Sequence, residues 1–271
     1  MNMTDCVYAR LQSEGYEARM VSIEHLADLQ HDIGVLAGQG LINRKLDESY
    51  LQRNYNFVLR EQCPTAKALI IVAAPWQNIQ TVFTHNGQRV PVLLPAGYGL
   101  EDRNRHQVET IIPEILSQEG YSLRQAQVPE KLLAVRSGLG KYGKNNVCYV
   151  PGMGSFHTLA AFYTDLPCET DTWQEAALSE ECQHCSACLK QCPTGAIVED
   201  RVLIHAERCL TFFNELPGDF PEWLDPAWHH CLVGCLKCQQ ICPQNKKFVD
   251  AVGTTVEFIE DETYMLLREG K

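Results

Sequence analysis

The 271-residue sequence predicts an α+β fold: a mixed helix-and-strand domain over residues 1–168, a small cysteine-rich domain over 169–250, and a tail over 251–271. Three observations predict it. Apolar stretches of helical and strand period alternate without repeats as far as residue 166. An acidic, polar stretch from Glu169 to Glu181 marks a seam. Beyond the seam, two cysteine runs each end in Cys-Pro.

In chain order, the first clear element is a helix from Ser22 to Gly38. Ser22 is placed to cap it, Ile23, Leu26, Ile33 and Ala37 share its inner face, and Gly38 or Gly40 ends it. Ala68 to Ala74 is a short, β-branched apolar run and reads as a buried strand. Arg89 to Leu94 reads as an edge strand, because Pro91 has no N–H to give a ladder. Arg105 to Leu116 has the inward positions of a helix, with Pro113 expected to bend or break it. Leu123 to Val128, Asn146 to Val150 and Thr158 to Thr164 read as strands, and Glu130 to Ser137 as a helix. The tail, with Glu257 and Glu260 to Glu262, reads as a solvated terminal segment.

The first cysteine run places Cys182, Cys185, Cys188, Cys192 and Pro193 in the spacing C-x2-C-x2-C-x3-C-P. That is the ferredoxin-like run, in which three thiolates hold one [4Fe–4S] cluster and the fourth crosses to a second. The second run supplies Cys235, Cys238 and Cys242, then Pro243, so its fourth ligand lies further away, at Cys209 or Cys231. Cys209 is the expected one, since it follows Cys-Pro-Thr-Gly-Ala-Ile197 and Ile204 at the usual re-entry of such chains. Crossed ligation is expected, with Cys182, Cys185, Cys188 and Cys242 on one cluster and Cys192, Cys209, Cys235 and Cys238 on the other. Zinc also uses C-x2-C pairs. It has no use for two runs that both end in Cys-Pro. Cys6, Cys63, Cys148, Cys168 and Cys231 are left as ordinary apolar residues.

The chain has no apolar run of about 18 residues, so no membrane span is expected. Its first residues lack the basic start and apolar core of a secretory signal, and the cysteine spacing suits reduced thiols; a cytoplasmic protein is expected. The net charge of −11 argues against a nucleic-acid partner, for which a basic face is expected.

Gly138, Gly140 and Gly143 fit G-x-G-x-x-G, yet a helix precedes them and a strand follows, the reverse of a dinucleotide-binding turn. Two readings remain: a helix cap and turn, or a bare loop that approaches a large flat ligand. Together with Glu130 to Asn145, Gly154 to Asp165, the cysteine runs and Cys209, this loop resembles the epoxyqueuosine reductases, relatives of the reductive dehalogenases. The resemblance, which takes in residues 50 to 245, implies a nitroreductase-related, cobalamin-binding domain followed by the two-cluster domain. It implies base-off cobalamin held near Gly138, Leu139, Gly140, Lys141, Gly143, Lys144, Asn145 and Ser155. Electrons would come from an external donor such as ferredoxin or flavodoxin and pass through two [4Fe–4S] clusters to cobalt. They would there reduce a small molecule or a modified nucleoside.

The same resemblance implies an aspartate six residues before Glu130 and a proline at 127, where this chain has Arg124 and Gln127. Asn104, Arg105 and His106 stand where an Asp-Tyr-His triplet is implied. His106, Glu130, Tyr98 and Tyr142 are the candidate replacements for the missing proton donor. Three functions follow: a corrinoid-dependent reductase of an unassigned substrate, a true epoxyqueuosine reductase acting on tRNA, or a non-enzymatic electron-transfer or corrinoid-handling protein.

Overall fold

The computed structural model describes residues 2–59, 63–95, 98, 101–201, 203–250 and 252–269. Helix α1 (Met3–Ser13) starts where the Asn2 side chain accepts the Asp5 N–H, closing one of the donors a helix start leaves open. Strand β1 (Glu17–Ser22) leads to α2 (Leu26–Gly38), with Ser22 accepting the Glu24 N–H of the intervening turn. Then follow β2 (Ala68–Pro75), β3 (Asn78–His85), β4 (Gln88–Leu94), α3 (Glu101–Leu116), β5 (Leu123–Gln125) and α4 (Glu130–Arg136). A small hairpin of β6 (Lys141–Tyr142) and β7 (Cys148–Tyr149) precedes β8 (His157–Thr164).

The main sheet has the order β1-β2-β8-β5 and is antiparallel throughout. Strand β2 alternates its side chains between two apolar layers. Leu69, Ile71 and Ala73 pack with Leu29, Leu132, Leu133 and Val135 of α2 and α4. Ile70, Val72 and Ala74 pack with Val7, Leu11, Val108, Ile112 and Leu116 of α1 and α3. Because both faces are covered, the run from Ala68 to Ala74 is apolar without interruption. Helix α3 starts before Arg105 and runs through Pro113 to Leu116. Val108, Ile112 and Leu116 are fully buried, and that burial holds the helix past the proline's lost hydrogen bond.

The tail is largely solvent-exposed, as expected, but it is ordered as a strand and a helix. A second sheet has the order β4-β3-β9, in which β9 (Val252–Phe258) lies parallel to β3, and Phe258 stacks on Phe83 with ring centroids 5.0 Å apart. An Asn86-Gly87 turn joins β3 to β4 with φ of 51° and 70°, the positive values a tight hairpin requires. The seam is ordered too. Gln174 donates to the Arg136 carbonyl at 2.8 Å and Thr172 to that of Ser137 at 2.7 Å, while Trp173 stacks on His25 at 4.2 Å. The cysteine-rich part carries three short helices, α5 (Ala187–Gln191), α6 (Leu210–Glu215) and α7 (Lys237–Gln240), and α8 (Glu260–Glu269) follows β9. Phe156 packs against Cys231 and Leu236, tying the first domain to the second. Among the described residues no helix is long and apolar enough to cross a membrane.

Candidate cluster sites and the cavity beside them

Both cysteine runs fold in the same way. Helix α5 sets Cys188 and Cys192 one turn apart, and α7 does the same for Cys238 and Cys242, after which a proline ends each run. Cys182, Cys185, Cys188 and Cys242 line one small cavity of about 20 Å³, together with Lys144, Asn145 and Tyr149. Cys192, Cys209, Cys235 and Cys238 line a second, of about 280 Å³. Each lining thus gathers four sulfurs from both cysteine runs, Cys209 included in the second. Cys231 is buried beside Phe156 and Leu236 and lines neither cavity, although its thiol lies close enough to feel that of Cys235.

The donor chemistry fits iron–sulfur clusters. Each set is four sulfurs around a space, and among the described residues no three of His, Cys, Asp or Glu converge on a single ion. Burial pushes the Cys188 thiol up to about 11 and raises Cys182, Cys209, Cys235 and Cys238 as well. Such thiols stay protonated in water and release their protons to solvent only when a metal binds the sulfur in the proton's place. Asn145 is buried, lines both cavities, donates to the Tyr149 hydroxyl at 3.0 Å and hydrogen-bonds the Cys238 sulfur, favouring its thiolate.

A larger cavity of about 660 Å³ opens between the main sheet and the cysteine-rich part. Tyr98, Lys131 and Val147 line both this cavity and the second cluster cavity, so they form the wall between them. Glu130 is ion-paired to Arg105 at 3.1 Å, and Glu215 accepts a hydrogen bond from the Tyr98 hydroxyl. Glu215 is exposed by its accessible surface, yet the protein packed around its carboxyl raises it to about 7. His157 meets the Cys148 carbonyl through Nε2 at 3.2 Å, and burial pushes its imidazole down to about 4, leaving it neutral. Its Nδ1 and the Arg105 Nε are buried without a protein partner. Size and orphaned polar atoms fit a large polar ligand such as a corrinoid, within the usual volume of cofactor sites.

No residue from Gly138 to Asn145 lines the large cavity, although Cys148, packed against Gly140, does. Gly138 has φ of +76° and caps α4, with Gln174 packed over it. A Cβ on Gly140 would meet the Cys148 sulfur at 2.6 Å and the Tyr149 carbonyl oxygen at 2.7 Å, and one on Gly143 would meet the Tyr149 ring at 2.5 Å. The glycines are therefore needed by the chain's own hairpin, and the cap-and-turn reading describes them. Leu139 is core, Lys141 pairs with Glu180 at 3.1 Å, and Lys144 donates to the Cys185 carbonyl at 3.2 Å beside the first cluster cavity. Ser155 does reach the large cavity, bonded to Gln239 and Asn245.

Of the four candidate proton donors, Tyr98 and Glu130 line the large cavity. His106 is exposed on α3 and outside that lining, and Tyr142 faces a different cavity beside Asp32 and Arg136. Lys131, Arg105, His157 and Glu215 were missed by sequence reasoning. Lys131, Arg105 and His157 had a signal, since all three lie within the quoted motifs; Glu215 had none.

A family profile described as a 4Fe-4S double cluster binding domain matches residues 181–245. The epoxyqueuosine reductase of Yersinia pestis is 38% identical over 122 residues, which are 45% of this chain and 28% of that relative. The matched segment thus spans less than a third of that relative's length. The structure of epoxyqueuosine reductase from Bacillus subtilis superimposes with a TM-score of 0.69 at 21% identity, covering 91% of this chain and 67% of that one. An epoxyqueuosine reductase solved with an epoxyqueuosine-modified tRNA stem loop gives 0.67 at 21% identity, with the same coverage. The chain is similar to the epoxyqueuosine reductases in sequence over part of its length and in fold over most of it, and it carries a 4Fe-4S binding domain.

Proposed function

We propose that the protein is an oxidoreductase in which two [4Fe–4S] clusters feed electrons to a corrinoid in the large cavity. The observation that carries this reading is the shared wall: Tyr98, Lys131 and Val147 separate the second set of four cysteines from that cavity. Cys182, Cys185, Cys188 and Cys242 would hold one cluster, and Cys192, Cys209, Cys235 and Cys238 the other. When bound, a corrinoid supplies a strongly nucleophilic reduced cobalt. The chain's residues do the rest. Tyr55, Arg105, Gln127 and His157 line the cavity and offer polar contacts, and the neutral His157 adds no charge there. The bands of anaerobically purified protein test this: cluster and cobalamin absorption together support it. Protein that holds iron yet ignores micromolar cobalamin overturns it in favour of an electron carrier.

A second reading, true epoxyqueuosine reduction on tRNA, is favoured by the similar fold of a reductase solved with a tRNA stem loop. That observation stands in tension with the expectation drawn from the net charge of −11, which sums the whole surface and says nothing of one groove. Binding of tRNA that falls steeply with added salt identifies this reading, because released counterions are the signature of phosphate contacts.

A further inference from the structure

The resemblance implies an aspartate at position 124, where this chain has an exposed arginine. Among the described residues two carboxyl groups line the large cavity, Glu130 and Glu215. Glu130 is taken by Arg105, at 3.1 Å. Glu215 stands at the C-terminal end of α6, which begins directly after Cys209 and so runs from the second cluster cavity to the large one. The unpaired carbonyls of a helix C-terminus disfavour negative charge there and favour the neutral acid. The Tyr98 hydroxyl, in the wall between the cavities, donates to Glu215 and fixes its direction.

We propose that Glu215, positioned by Tyr98, is the proton donor of the large cavity. This rests on the corrinoid-reductase reading. In the step, the O–H bond of the Glu215 acid breaks and a new O–H bond forms on an oxygen that has gained an electron pair in the cavity. The carboxylate left behind recovers its proton from water at the cavity mouth. For an epoxide the balance is two electrons and two protons in, alkene and water out, with the electrons coming from an external one-electron donor through the clusters. Glu215 keeps contact with cavity water while protein surrounds it more widely, and the resulting rise to about 7 leaves both acid and base populated at neutral pH. Arg105, Glu130, Lys131 and His157 face the same space. Lys131 would pull the acid down when charged; it is exposed by its accessible surface, while the protein packed around its ammonium lowers its own pKa.

The test uses cluster-loaded protein. Without cobalamin, infrared difference spectra taken across neutral pH should show one carboxylic acid titrating near 7. That band should vanish in Glu215→Gln and move in Tyr98→Phe, with cluster absorption intact in both. With cobalamin and a chemical reductant, Glu215→Gln should reduce a small epoxide such as styrene oxide on the order of a hundredfold more slowly, and Glu215→Asp should recover part of the rate. A titrating carboxyl that survives in Glu215→Gln, or an unchanged rate and pH profile, overturns the proposal. Wild-type protein that shows the titration and does not bind cobalamin overturns the corrinoid reading on which it rests, a separate result.

Discussion

Cys209 and Cys231 differ in what surrounds their sulfurs. Cys209 lines the second cluster cavity with Cys192, Cys235 and Cys238, whereas Cys231 sits among Phe156 and Leu236. Cys209→Ser should therefore lose one of two clusters, about half the iron of protein reconstituted with close to eight irons. Cys231→Ser should keep both and lose only about 1 kcal/mol of stability, the cost of burying a hydroxyl with poor partners. Iron analysis and thermal melts separate the two. Asn145 offers a further check. Its amide bonds the Cys238 sulfur, and such bonds stabilise the more negative, reduced state of a cluster. Asn145→Leu should lower one cluster potential by some tens of millivolts, roughly what part of a charged hydrogen bond supplies. A redox titration followed by electron paramagnetic resonance reads it; an unchanged potential would remove Asn145 from this role. At this scale the cysteine sets were legible, because spacing dictates how a short chain wraps a compact group. Glu215 was not, since its position depends on where α6 points.

The glycine loop shows the limit of motif reading at the scale of an element. Three glycines tell that side chains are excluded, and the backbone partner decides why. Gly140→Ala would drive a Cβ into Cys148 and the Tyr149 backbone. It should lower the melting temperature by the equivalent of about 1–3 kcal/mol, with cobalamin binding and the β6–β7 hairpin lost together. A variant that melts normally yet fails to bind cobalamin would restore the ligand-loop reading. The β3–β4 hairpin was legible in Asn86-Gly87, a strong turn signal flanked by alternating residues, and it went unread. Strand β9 had no such signal, because its exposed, threonine-rich residues 252–258 acquire strand character only by pairing with β3. Phe258→Ala should remove the stack on Phe83 and cost about 1–2 kcal/mol in a thermal melt, leaving the iron count unchanged.

Across the whole molecule, the charge of −11 and the position of the seam were readable, and their consequences were not. The acidic stretch is strapped to α4 and to His25, where composition marked only a seam. The sequence by itself determined the elements whose cause is local. These are the buried run from Ala68 to Ala74, the helix ahead of Gly138, and the two cysteine runs with their prolines, each set by residue spacing within a few turns of chain. Only the tertiary structure decided what depends on distant segments meeting. It brought Cys209 to Cys235, laid β9 beside β3, closed Tyr98 onto Glu215, and left the glycine loop packed against its own hairpin, outside the lining of the large cavity. The physical reason is that spacing constrains neighbours along the chain, while cavities and their acids are made by the burial of whole faces against one another.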